Sequence, residues 1–229
     1  LDNLKKANKK FVLMTNAPRP KKSVFNFLSK LNLNKDYCQN IFTSGDAALN
    51  SLRSNLHGEN FFHLGPKRDT NLFFEFKDKR KDKIDSAEFI LCTGLFDGLE
   101  EDLSYYKNLL IKHINKKMVC TNPDLIVHRG DTREYCAGSI AKIFGEMNGK
   151  VTYYGKPYPE IYKECIQDEK KVLVIGDNLN TDIKGANNMH YDSLFIKNGI
   201  HQDEFNGLIL DDFDEILNRY QVKIDYYQN

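Results

Sequence analysis

Four places in this sequence put polar side chains directly after a short apolar run. Thr15 and Asn16 follow residues 11–14, Asn122 and Asp124 follow residues 118–121, Lys156 follows residues 151–154, and Asp177, with Asp182 five positions on, follows residues 172–175. In open α/β sheets, ligands bind outside the carboxyl ends of strands, so these corners are where chemistry is expected. Two carboxylates close together repel unless a cation or a lysine lies between them. Asp177 and Asp182 therefore suit Mg²⁺, a hard ion that takes oxygen ligands and keeps several waters. They also read as a turn residue and a helix-start charge. Thr15 and Asn16 offer a hydroxyl, an amide and backbone N–H groups that can hold phosphate oxygens, although Asn-Ala-Pro on its own is more often just a turn. Lys156, before Pro157, can balance phosphate charge or a carboxylate pair.

The elements that must position these residues alternate. Short apolar runs at 11–14, 41–43, 61–64, 88–92, 118–121, 151–154, 172–175 and 193–196 read as strands,. Continuous apolar runs of this kind mark strands buried on both faces, as in parallel sheets. Helices are expected between them, including one from Asp46 capped by Ser44 or Asp46, one over 103–114, one from Tyr135 to Met147, one over 181–188 and one from Asp211 to Tyr220,. Residues 77–85 form a charge run, expected on a solvated face,. Strand–helix alternation places the chain in the α/β class, with a Rossmann-like, doubly wound parallel sheet.

The 229 residues carry 33 Lys and Arg against 32 Asp and Glu, a net charge of +1, which argues against a dedicated nucleic-acid binder,. No apolar run approaches the ~20 residues of a membrane span. Residues 1–10 lack the apolar core of a signal peptide,. The five cysteines are odd in number and form no CxxC pair, so reduced thiols in a cytoplasmic protein are expected,. The run GEMNGK at 145–150 has one residue too few between its glycines for a P-loop,.

Taken in order, the corners resemble the haloacid dehalogenase (HAD) superfamily of phosphatases. FVLMTNAPRP resembles its second motif, GKPYPEIY its third and VLVIGDNLNTDIKGANN its fourth. TNPDLIVHRGD and EYCAGSIAKIFGEMNGK are similar to the type II cap of the NagD-like class IIA branch. NAPRP, FTSGDA, HLGPKRD and LCTGLFDGLE resemble a poorly characterised subgroup of that branch. The resemblance implies a core domain at 1–57 and 155–229 with an α/β cap inserted at 58–154. It implies phosphoryl binding by Thr15 and Asn16, charge neutralisation by Lys156, Mg²⁺ ligation by Asp177, and support of the metal and of Lys156 by Asp182. Asn122, Asp124, Arg129 and Asp131, expected on a loop after a cap strand, are substrate-facing candidates, or alternatively a turn with solvated charges. The substrate would be a small phosphorylated metabolite, with neither nucleic acid nor membrane as partner; a homodimer is compatible with the branch.

The family's first motif, DxDG, supplies the nucleophilic Asp and an acid/base Asp, and no such pair precedes Thr15,. The expectation is that the chain is truncated at its N-terminus, that the nucleophile lies upstream, and that the 229 residues alone are inactive. The alternative is a non-catalytic phosphate- or metabolite-binding protein on the same fold.

Overall fold

The structure is a computed structural model and describes residues 1–129, 132–166, 169, 171–208 and 212–228. The chain divides into two compact units, Leu1–Gly155 and Lys156–Asn229. The first begins with α1 (Asp2–Lys6), β1 (Leu13–Thr15), α2 (Lys21–Lys30), β2 (Ile41–Thr43) and α3 (Ser44–Arg53). β1 and β2 are parallel, with Thr15 opposite Thr43. The cap of α3 is neither Ser44 nor Asp46. Thr43 ends β2 in extended conformation, and its hydroxyl accepts the Asp46 N–H at 3.0 Å. One residue thus closes the strand and opens the helix, which is why α3 starts two positions earlier than expected.

There follow β3 (Phe61–Leu64), a kinked 3₁₀ run (Lys67–Lys79), β4 (Arg80–Lys81), β5 (Phe89–Cys92), α4 (Leu103–Leu110), β6 (Lys117–Cys120), β7 (Ile126–Arg129), β8 (Thr132–Tyr135), α5 (Ala137–Glu146) and β9 (Lys150–Tyr153). Five of these strands form one all-parallel sheet in the order β4-β3-β5-β6-β9. Both faces are covered, as a parallel sheet requires. Ile90, Met118 and Cys120 pack with Tyr106 and Leu110 of α4 and Ile140 and Phe144 of α5. Phe61, Phe89, Leu91 and Val119 pack with Ala48, Leu49 and Leu52 of α3 and with Phe73 and Phe76. Each Leu, Ile, Phe, Met or Val side chain among them contributes about 1.5–3 kcal/mol by leaving water. The runs at 61–64 and 89–92 are the strands the sequence predicts.

Two expectations fail here. Tyr135 does not open a helix; it pairs with Ile126 in an antiparallel β7–β8 ladder, and α5 begins at Ala137. The turn is fixed by Cys136, whose N–H donates to the Leu125 carbonyl at 2.9 Å. Arg129 consequently sits in a strand rather than a loop. Asp131 lies outside the described residues.

The second unit contains α6 (Pro159–Cys165), β10 (Leu173–Gly176), a wide π-type turn (Leu179–Ile183), α7 (Lys184–Met189), β11 (Asp192–Ile196), α8 (Gln202–Phe205), α9 (Phe213–Tyr220) and β12 (Tyr226–Gln228). Strands β10, β11 and β12 form a parallel sheet. Its core is Leu179, Ile183, Phe195, Phe205, Phe213 and Ile216. β10 is not buried on both faces, because Leu173 and Ile175 are 48% and 53% exposed. β1 is likewise only half-buried and starts at Leu13. The unexpected β12 is held by Asp225, whose carboxylate accepts the Ser193 N–H at 2.8 Å and its hydroxyl at 2.9 Å. Asp211, the expected start of the last helix, is outside the described residues. No helix among the described residues is long and apolar enough to cross a membrane.

Candidate active site

In the first unit, the chain leaving β1 folds back onto the start of α3. The Thr15 hydroxyl accepts the Ala17 N–H at 3.2 Å, and the Ala17 carbonyl takes the Ser44 hydroxyl at 3.0 Å and the Gly45 N–H at 3.2 Å. A Cβ on Gly45 would fall 2.6 Å from the Pro18 carbonyl carbon, so only glycine allows this approach. Asn16 is buried, and its Nδ2 donates to Asp124 Oδ1 at 2.9 Å. Asp124 is positioned in turn by its own N–H, which donates to Asn122 Oδ1 at 3.0 Å. Gly155 sits against this pair with φ +129, and a Cβ there would lie 2.6 Å from Pro123 and 2.8 Å from Asn16 Oδ1. The structure therefore brings together Asn16, Asn122 and Asp124.

In the second unit, Lys156 Nζ donates to Asp182 Oδ1 at 2.6 Å, with both side chains largely buried. The other Asp182 oxygen accepts the Asn178 N–H at 3.1 Å. Gly176 makes room for this, since a Cβ there would fall 2.2 Å from the Asp182 carboxyl carbon. The wide turn after β10 presents three successive N–H groups, of Thr181, Asp182 and Ile183, to the Asn178 carbonyl. It is anchored by the fully buried Leu179 and Ile183. π-type turns of this kind concentrate at functional sites. Asp177 accepts the Ile200 N–H on Oδ2 at 3.0 Å, and Gly199 leaves the space its carboxylate needs.

The donor chemistry fits a hard divalent cation in part. Asp177 keeps one oxygen without a hydrogen bond among the described residues, whereas both oxygens of Asp182 are engaged. No cluster of three or more His, Cys, Asp or Glu able to hold a metal occurs among the described residues. An ion held by Asp177 therefore completes its shell with water or other groups, as Mg²⁺ commonly does. Two buried thiols are held protonated: burial pushes Cys120 up to about 12 and raises Cys92 well above the ordinary thiol range,.

Residues 1–77 match the family described as haloacid dehalogenase-like hydrolase, and residues 153–216 match a HAD-hydrolase-like family. A solved haloacid dehalogenase-like hydrolase from Brucella suis 1330 is 30% identical, with a TM-score of 0.73 over 86% of this chain and 76% of that one. The chain belongs to the haloacid dehalogenase-like hydrolases. The p-nitrophenyl phosphatase from Archaeoglobus fulgidus shares the HAD fold at 19% identity, with a TM-score of 0.75 over 100% of this chain and 86% of its own. Dihydroxyacetone phosphatase from Corynebacterium glutamicum (strain R) is 26% identical over 92 residues, 38% of this chain; the match spans about a third (34%) of that relative's length.

Within this HAD chain, sequence reasoning missed two groups that shape the corners. Gly199 and Ile200 follow the apolar strand β11 and hold Asp177, so the rule of inspecting every strand end would have found them. Gly155 and Gly176 carry no polar group; only the close approach of Asn16 and Asp182 reveals why they are glycine.

Proposed function

We propose that this HAD hydrolase is a Mg²⁺-dependent phosphatase acting on a small phosphomonoester, such as a sugar phosphate or nucleotide. The observation that carries the reading is the buried Lys156–Asp182 pair, together with Asp177 directly after β10, which keeps one carboxylate oxygen without a hydrogen bond among the described residues. Phosphoryl transfer depends mainly on positioning and charge stabilisation, which a fixed lysine and preset carboxylates supply. In this reading Asp182 holds the Lys156 ammonium extended from its strand end, and Lys156 neutralises a phosphoryl oxygen. Thr15 and Asn16 bind phosphoryl oxygens through hydroxyl, amide and backbone N–H. Asp177 ligates the metal, with Asp182 supporting it. When bound, Mg²⁺ neutralises phosphate charge and orients the ester.

Asn122 and Asp124 fix the Asn16 amide; these two, with Arg129 and Asp131, are the proposed substrate residues. The interleaved division, with a core at 1–57 and 155–229 and a cap at 58–154, belongs to the same proposal. Its support is that all five strands of one sheet lie between Phe61 and Tyr153. A small phosphorylated metabolite as substrate, a cytoplasmic setting and a homodimer through the cap complete the reading.

The test assays the full gene product, purified without metal, on 4-nitrophenyl phosphate. Phosphate release is expected to require added Mg²⁺ and to fall by about 10²–10³-fold in Asp177→Asn, the scale of losing a group that stabilises transition-state charge. Equal turnover with and without Mg²⁺, or in the variant, would refute the metal role.

A further inference from the structure

The motifs HLGPKRD and LCTG take no part in the proposed reaction, yet they build a polar relay beside a cavity. His63 on β3 is only 8% exposed, and its Nε2 lies 2.9 Å from the Thr93 hydroxyl at the end of β5. Thr93 is hydrogen-bonded to the buried carboxyl of Asp69. Gly65 is what lets the pair meet, because a Cβ there would lie 2.1 Å from Thr93 Oγ1 and 2.8 Å from His63 Nε2.

The relay fixes proton positions. The Asp69 carboxylate accepts from the Thr93 O–H, so Thr93 Oγ1 must accept from His63, and Nε2 carries the imidazole hydrogen. His63 stays neutral: burial first, and the nearby Arg80 guanidinium second, lower it to about 4,. Its Nδ1 is thus a hydrogen-bond acceptor, and it takes no partner among the described residues. Burial raises Asp69 above the ordinary carboxylate range, and the Thr93 hydrogen bond, then Arg68 and Arg19, act against that rise,.

His63 lines a cavity of about 240 Å³ between β3, β4 and the 3₁₀ run. Its lining includes Phe61 and Phe73 together with Thr70, Lys77, Arg80 and Asp82. The His63 and Phe73 rings lie 5.5 Å apart, and Lys77 Nζ stands 5.1 Å over Phe74. An aromatic wall, two cations against one carboxylate, and a neutral imidazole among the lining residues define complementary chemistry,. We propose that this cavity is a second ligand site, for a small aromatic anion that carries a hydrogen-bond donor at the end opposite its acidic group. The ring lies against Phe61 and Phe73, the anion meets Lys77 and Arg80, and the donor reaches His63 Nδ1.

The probe is 4-hydroxybenzoate, with benzoate as the analogue lacking the donor. Calorimetry on the chain is expected to give one saturable site with Kd of about 1 mM or tighter, and benzoate about tenfold weaker. The ¹⁵N resonance of His63 Nδ1 should shift on saturation with 4-hydroxybenzoate. Lys77→Ala with Arg80→Ala changes only exposed side chains, so it should fold and weaken binding about tenfold or more,. Absence of saturable binding, equal affinity for the two probes, or binding unaffected by the double variant would each overturn the site. None of these measurements involves catalysis, so they stand apart from the phosphatase reading.

Discussion

A single side chain, His63, sets a measurable property of the protein. Its proton affinity is depressed to about 4 in the native state, against about 6.5 in an unfolded chain,. Between these values the unfolded state binds a proton that the native state refuses, so stability rises with pH across this window and is lost as pH falls through it. The stability lost through this residue between pH 7 and 4.5 is expected to be about 2–3 kcal/mol,. Urea unfolding of the wild type and of His63→Gln at the two pH values checks it: the wild type should lose that much more than the variant. The Lys156–Asp182 pair works on the same scale but through charge. Both groups are shielded from water, so removing one partner leaves an uncompensated charge in its place,.

At the scale of elements, α3 depends on a residue outside itself. Thr43→Ala removes the oxygen that takes the Asp46 N–H and is expected to cost about 1 kcal/mol, read as a lowered denaturation midpoint at unchanged slope,. Since α3 contributes Ala48, Leu49 and Leu52 to the sheet's core, the loss reaches the whole unit. The strands most legible in the sequence are those of this sheet, because 89–92 is a continuous apolar run and 61–64 is broken only by His63. The β7–β8 ladder was illegible for the opposite reason: Glu134 and Arg133 interrupt any apolar pattern, and cross-strand pairing, not burial, holds the residues extended. β12 is read just as poorly, since its tyrosines remain exposed and its register comes from Asp225. Of the candidate site, Asn16, Lys156 and Asp177 are legible because each comes soon after an apolar run, and Asp182 because of its spacing from Asp177. The His63–Thr93–Asp69 relay was not, because its members come from separate elements and share no spacing.

For the molecule as a whole, the balance of 33 basic and 32 acidic residues makes no long-range field to draw an anionic substrate,. In the proposed phosphatase, attraction would then be confined to near neighbours such as Lys156. Raising salt from about 50 to 200 mM should therefore change KM for 4-nitrophenyl phosphate by less than about threefold, whereas a steered enzyme would change far more. The division into Leu1–Gly155 and Lys156–Asn229 gives each unit its own buried cluster. Within the first unit, the bond from Asn16 to Asp124 joins residues 108 positions apart, and Gly155 closes against both segments from further still. A ribosome releases Asn16 long before it has made its partners. The corner after β1 must wait, open, while the strands from β2 to β9 are synthesised, and it acquires its final shape only when the last residue of the unit arrives.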